Sequence, residues 1–358
     1  MLNFAVGPVM MDPEILNLGA EPLPYFRTEE FSELTFECEK LLKKLTGAPD
    51  DARVIFLTGS GTAAMEACVL NLFTAEDKVL IVNGGSFGTR FKQICDTLEI
   101  PSEEIQLEHG EPLTEKHLAE YDNKGFTGFL VNVHETSTGV LYDMDMIHHF
   151  CERNHLLLVA DAISSFLADP YNITEYGVSA TIISTQKGLA LPPGMSYVIL
   201  TKDAIERTMT NTVKSIYFDF KDYLKNGERG QTPFTPAVGI MIQLHKRLQM
   251  IDTAGIDSVV KNTHELAVYF REKIAELPFE IASPCPSNAM TPLHPTGKMA
   301  ADEIYHYVKE NYGVFLCPNG GDLAKKIFRV GHIGYVRKED IDSLVDILEE
   351  IAYARFRA

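Results

Sequence analysis

Apolar runs of strand length alternate with helical patterns through the first two-thirds of the chain. The runs fall near 53–58, 78–83, 127–133, 155–160, 180–185 and 195–200, each short enough to be a buried strand. Between them, Thr62-Ala63-Ala64-Met65-Glu66-Ala67-Cys68-Val69-Leu70 is built from good helix formers, and Met144 to Arg153 has helical character. This alternation predicts repeated βαβ units: an α/β fold with a mainly parallel sheet covered by helices. From about 235 to 276 two long helical patterns follow each other, split near Thr253-Ala254-Gly255, where glycine can end the first. The split predicts a domain junction, with a large domain over 17–253 and a smaller α+β domain over 254–358. Short strands at 279–283, 289–293 and 326–331 alternate in the latter with helices at 299–310 and 338–356.

Composition narrows the class. With 358 residues, 45% of them hydrophobic, the chain can bury a large core. A net charge of −18 repels nucleic acid and anionic membrane alike, and no apolar run approaches the length of a membrane span. The N-terminus has no basic residue before Arg27 and meets Asp12 and Pro13 early, unlike a secretory signal. The six cysteines (38, 68, 95, 151, 285 and 317) are dispersed with no CxxC pair, which fits reduced thiols in a cytoplasm. No metal site is expected, because His134, His294 and His332 lack the HxxxH or HExxH spacing.

Candidate chemistry gathers at strand ends. Lys187 follows the β-rich run Thr181 to Gln186, Asp161 closes Leu156 to Ala160, and Val54 to Leu57 runs into Thr58-Gly59-Ser60-Gly61-Thr62. The carboxyl ends of parallel strands share one crevice, so an amine, a carboxylate and a glycine-rich turn can meet there. Pyridoxal phosphate needs that set: an aldehyde partner, a pyridinium partner and a phosphate cradle. The turn also reads as a dinucleotide fingerprint, but Asn83 and Gly84 stand where a nicotinamide enzyme offers an acid to the ribose. A plain strand-to-helix turn, a helix-capping Asp161 and a solvated Lys187 are the ordinary readings of the same residues taken singly. Phe87, flanked by glycines, can stack on a planar ligand or simply fill core. Arg329, within an apolar strand, needs an anionic partner, either a substrate carboxylate or an interdomain acid.

Taken together these residues resemble the fold-type I pyridoxal phosphate enzymes of the class V aminotransferase family, in particular its serine–pyruvate and alanine–glyoxylate branch. The similarity runs from Val6-Gly7-Pro8-Val9 through Ser60-Gly61-Thr62, Asn83 to Arg90, His134 to Gly139, Asp161 to Ser165, Ser184 to Gly188 and Thr232 to Val238, and ends in Phe328 to Gly334. It implies a seven-stranded, mainly parallel cofactor-binding sheet and an N-terminal segment, 1–16, lying near the active site. Lys187 would carry pyridoxal 5'-phosphate as a Schiff base, Asp161 would face the ring nitrogen and Phe87 would stack on the ring. Thr136 would lie by the phenolic oxygen, with Ser60, Gly61, Thr62, Ile163 and Gln186 around the cofactor. Thr235, and less directly Thr232, would reach the phosphate from a partner subunit, implying a homodimer with shared sites. Gly7 and Arg329 would bind substrate, Arg329 through its carboxylate. The implied reaction is ping-pong transamination between a small amino acid, alanine or serine, and a small 2-oxo acid, glyoxylate or pyruvate.

Three rivals remain at this stage. One is 2-aminoethylphosphonate–pyruvate transamination, in which Arg329 would serve only the acceptor. Cysteine desulfuration would need Cys317 as a reactive thiol, and Gln186 stands where desulfurases carry histidine. A ligand sensor without turnover would tolerate loss of Lys187. The segment Ser215 to Gly230 reads either as a site entrance or as a dimer contact.

Overall fold

The computed structural model describes residues 2–356, with side chains described as far as residue 352. Seven strands form the main sheet: β1 (Arg53–Thr58), β2 (Val79–Asn83), β3 (Ser102–Gln106), β4 (Gly128–Asn132), β5 (Leu157–Asp161), β6 (Ala180–Ser184) and β7 (Met195–Leu200). Their order is β1-β7-β6-β5-β4-β2-β3, and every pairing is parallel except the two made by β7. Successive side chains of a strand point to opposite faces. Val54 and Phe56 of β1 therefore enter one core, while Ile55 and Leu57 enter a second on the other face. Leu80 and Val82 of β2 divide from Val79 and Ile81 in the same way. Burial on both faces explains why these strands read as continuous apolar runs.

Strand β3 escapes that pattern. Its sequence Ser102-Glu103-Glu104-Ile105-Gln106 buries only Ile105, as suits an edge strand whose charges discourage further pairing. A two-stranded hairpin, His134–Glu135 with Val140–Leu141, is also too short to show as an apolar run.

The expected break between the long helices occurs at Gly255, whose φ of +81° separates Val238–Ala254 from Ile256–Lys273 and would strain any other residue. Beyond it lies a four-stranded antiparallel sheet of β8 (Phe279–Ile281), β9 (Met290–Pro295), β10 (Cys317–Pro318) and β11 (Phe328–Gly331), ordered β8-β9-β11-β10. The chain's beginning joins this region. Phe4 is fully buried with Leu266, Phe270 and Phe328, and its carbonyl accepts from Gly331 N at 2.7 Å. Among the described residues, no helix is long and apolar enough to cross a membrane.

Candidate active site

Strands β1, β4, β5 and β6 run parallel, so their carboxyl ends lie along one edge. At that edge Asn132 and Asp161 are register partners across β4 and β5. Asn132 Nδ2 donates to one oxygen of Asp161 at 2.6 Å and Ile163 N to the other at 2.9 Å. Two donors orient the carboxylate, yet burial dominates and raises its pKa to about 6. The group is poised for a facing cation.

Lys187 lies three residues beyond β6, half-buried. Burial is the main cause lowering its amine to about 8; the Cys317 thiol and Asp161 act upward and Arg329 downward. The N-terminal segment closes over the lysine stem, because a Cβ on Gly7 would stand 2.7 Å from Lys187 Cδ and 2.8 Å from Cε. Only glycine gives that approach.

The turn after β1 opens the helix Gly61–Leu72, whose N-cap Ser60 leaves its hydroxyl free of the helix. The first helical amides have no intrahelical acceptor, so those of Gly61 and Thr62 can meet a phosphate. A Cβ at Gly61 would sit 2.3 Å from Ile163 Cδ1 and 3.6 Å from Ser184 Oγ, which is buried without a partner. Arg90 brings a cation to the same place: its Nη1 donates to Thr62 Oγ1 at 3.0 Å while its guanidinium lies 5.9 Å from the Phe87 ring centre. Gln186 is half-buried beside Lys187.

Phe87 is half-buried at the start of the helix Ser86–Thr97. That helix end is held by Glu135, whose Oε2 accepts from Phe87 N and Gly88 N, both at 3.1 Å. The same carboxylate accepts from Ser137 N and Ser137 Oγ, and Ser137 Oγ accepts from Ser86 N at 3.0 Å. The next residue, Thr136, is buried, and its hydroxyl lies 2.7 Å from Ser164 Oγ, which in turn lies 3.0 Å from His134 Nδ1.

Arg329 is half-buried on β11, opposite Cys317 of β10. Its Nη1 donates to Thr136 O at 2.8 Å and its Nη2 to Pro318 O, while Nε has no protein partner. Both acceptors are neutral carbonyls. The guanidinium is thus fixed in place with no acid among the described residues paired to it, which removes the interdomain salt bridge as the reason for its position.

Thr232 and Thr235 part company. The Thr232 hydroxyl is spent on Phe234 O at 2.6 Å, whereas Thr235 is exposed. Their segment is anchored within its own chain, by Ala237 N to Thr58 Oγ1 at 3.1 Å and by the stacking of Phe234 on Tyr217. Tyr217 OH donates to Thr58 O at 3.0 Å, so part of Ser215 to Gly230 packs against the end of β1. His134 and His332 are fully packed rather than solvated. The residues that sequence reasoning passed over are Asn132, Glu135, Ser164, Ser184 and Arg90. Of these, Asn132 alone lay outside the segments of resemblance named above; the roles of Asn132, Glu135, Ser164 and Arg90 rest on hydrogen bonds, and that of Ser184 on a buried hydroxyl without a protein partner, none of which a spacing rule encodes. Outside this edge, His148, His149 and Glu152 place ligand atoms within 4.8 Å of one another at the surface, a grouping the histidine spacing rules did not flag.

The chain matches the aminotransferase class-V family over residues 25–344. It is 31% identical to a protein named soluble hydrogenase, small subunit, from Synechococcus sp., over 98% of this chain and 93% of that one. It is 30% identical to the 2-aminoethylphosphonate–pyruvate transaminase of Pseudomonas aeruginosa, over 90% of this chain and 88% of that one. A solved aspartate aminotransferase of subgroup IV from Thermus thermophilus superposes with a TM-score of 0.91 at 26% identity, covering 99% of both chains. The donor set suits pyridoxal phosphate: an amine, an oriented carboxylate, a glycine whose Cβ would fill the cradle, and an orphaned hydroxyl at Ser184. The chain belongs to the class V aminotransferases, pyridoxal-phosphate-dependent enzymes of fold type I.

Proposed function

We propose that the enzyme moves an amino group from a small amino acid, alanine or serine, to a small 2-oxo acid, glyoxylate or pyruvate. The observation that carries this reading is Arg329, a guanidinium held by two carbonyls and acting on the charge of Lys187. A fixed, unpaired cation beside the reactive amine is a carboxylate site, and it serves both the amino acid and the oxo acid that follows it.

Pyridoxal phosphate, when bound, supplies a carbonyl that an amine can capture and a ring that accepts the electron pair left at the substrate Cα. Ser60, Gly61, Thr62, Gln186 and Arg90 would hold its phosphate, Phe87 its ring face and Asp161 its ring nitrogen. A cation facing Asp161 restores the ionisation that burial opposes. Lys187, with a pKa of about 8, is neutral often enough near neutrality for Nζ to take the proton from Cα and return it to the acceptor carbon. Arg329 orients the substrate through its carboxylate while Gly7 keeps the lysine stem enclosed. We further propose that the cofactor site is completed by Thr235 of a second copy, in a homodimer, and that the chain divides functionally into 1–16, 17–253 and 254–358.

The test is the visible spectrum of the purified protein after loading with pyridoxal phosphate and desalting, with L-alanine, L-serine and 2-aminoethylphosphonate added separately. Bleaching of the retained band by alanine or serine supports the reading. Bleaching by aminoethylphosphonate alone would overturn it in favour of the second reading, which the Pseudomonas relative supports and in which Arg329 meets only pyruvate.

A further inference from the structure

His134 is 2% exposed and sits on the short strand that leads into Thr136. Its Nδ1 meets Ser164 Oγ at 3.0 Å, and Ser164 Oγ meets Thr136 Oγ1 at 2.7 Å. Its other nitrogen, Nε2, is buried with no hydrogen-bond partner among the described residues. An imidazole and two hydroxyls thus form a closed chain with one open end at Thr136. Ser164 Oγ also lies 3.4 Å from His134 O, a far longer contact than the 2.7 Å to the Thr136 hydroxyl, so the two short contacts set the protons of the chain running in one direction.

Two directions are available, and they differ at the end that matters. If Nε2 carries the proton, Nδ1 must accept from Ser164, Ser164 accepts from Thr136, and the Thr136 proton is turned inward. If Nδ1 carries the proton, it donates to Ser164, Ser164 donates to Thr136, and the Thr136 O–H is free to donate outward. The first arrangement buries an N–H with nothing to accept it. The second buries only a bare lone pair, and that lone pair lies in the positive field of Lys187, Arg329 and Arg271. Those charges, with burial the larger cause, also keep the ring neutral by lowering its pKa to about 3. The negative groups nearby do not reverse the choice, since Glu135 is committed to the Ser86–Thr97 helix end and Asp161 to Asn132 and Ile163.

We propose that His134 is a positioning residue: held as the Nδ1–H tautomer, it works through Ser164 to make the Thr136 hydroxyl an outward-facing donor. On the reading that Thr136 lies by the cofactor's phenolic oxygen, this donor withdraws charge from that oxygen. The oxygen then holds less tightly the proton it shares with the Lys187 nitrogen. Thr136 also receives Arg329 on its carbonyl, so one residue links the relay to the proposed carboxylate site.

The tautomer is read by nitrogen NMR of histidine-labelled protein, before and after loading, with His134 assigned from His134→Phe. A protonated Nδ1 and a bare Nε2 are expected; a protonated Nε2 would overturn the proposal whatever the cofactor does. The second readout is the pH midpoint of the visible band of the loaded protein. His134→Phe and Ser164→Ala should each raise it by about half to one pH unit, the scale of one hydrogen bond. Neither should add to the shift of Thr136→Ala. An unmoved midpoint in the folded Ser164→Ala variant, with the wild-type band present, also overturns the relay. Absence of any band in the wild type would instead refute the cofactor reading and leave the tautomer to decide.

Discussion

Asp161 and Arg329 both act on Lys187 but are secured by different parts of the molecule. Asp161 ends a strand inside the seven-stranded sheet, and the group that orients it, Asn132, is its register partner on the next strand. Arg329 lies on the four-residue β11, and its acceptors, Thr136 O and Pro318 O, come from two further segments. The carboxylate side is fixed by one rigid register, and the guanidinium side is assembled from pieces brought together by the packing of the small sheet. Damage to the first should be felt in holding the cofactor, and damage to the second in holding the substrate.

Lys187→Ala breaks the comparison entirely by removing the group on which both sides act. Transamination should fall by about a thousandfold or more, with the retained visible band lost and the circular dichroism spectrum unchanged. A variant that kept turnover would refute the enzyme's central assignment.

The next effect belongs to the sheet side. The Asp161 carboxyl, about 6 when folded, lies above its ordinary 3.8. The folded chain therefore holds that proton more tightly than the unfolded one. Its contribution favours folding fully below about pH 4 and is lost as pH rises through about 6, amounting to about 3 kcal/mol in all. Denaturant unfolding of cofactor-free wild type and Asp161→Asn at about pH 5 and about pH 7.5 should show the difference narrowing against the wild type at the higher pH. Pyridoxal phosphate should restore the wild type and not the variant. Parallel behaviour at both pH values would mean that Asp161 is not desolvated as the fold suggests.

How readable each side was follows from the same physics. The strand that ends in Asp161 and the one that leads to Lys187 are buried on both faces, so their apolar runs and the polar residues following them stand out in the chain. Edge strand β3, with its two glutamates, gives no such signal, and neither do two-residue strands such as Cys317–Pro318. Arg329 was visible as a charge in an apolar strand, but not its two carbonyl partners at positions 136 and 318. Glu135 was unreadable for another reason: its role is to cap a helix some fifty residues earlier, and only the fold brings Phe87 N and Gly88 N to it. Periodicity reports burial; hydrogen bonds between distant segments leave no period.

Arg329→Lys tests the assembled side. Lysine keeps the charge but cannot span both carbonyls and still present a planar fork. KM for the amino acid and for the oxo acid should rise together by about tenfold to a hundredfold, while retention of the cofactor band stays at the wild-type level. A loss of the band would show that the two sides are not separable.

Gly7→Ala should give the smallest effect and the finest test of that separation. Gly7 comes from the segment that pairs with the small-sheet region, through Phe4 O and Gly331 N, yet it touches the lysine stem. An added methyl at 2.7 Å from Lys187 Cδ must push the side chain aside, and the Gln186 carbonyl at 3.2 Å limits how the backbone can give. The φ of +154° at Gly7 adds backbone strain that is read separately as lost stability. A lysine driven off its rotamer costs about 0.5–1.5 kcal/mol, or roughly a twofold to tenfold loss of rate. That loss should appear in kcat with KM little changed, because Arg329 is left alone. A change in KM alone would mean that Gly7 acts on the substrate directly, and that the enclosure of Lys187 by the N-terminal segment has no part in the chemistry.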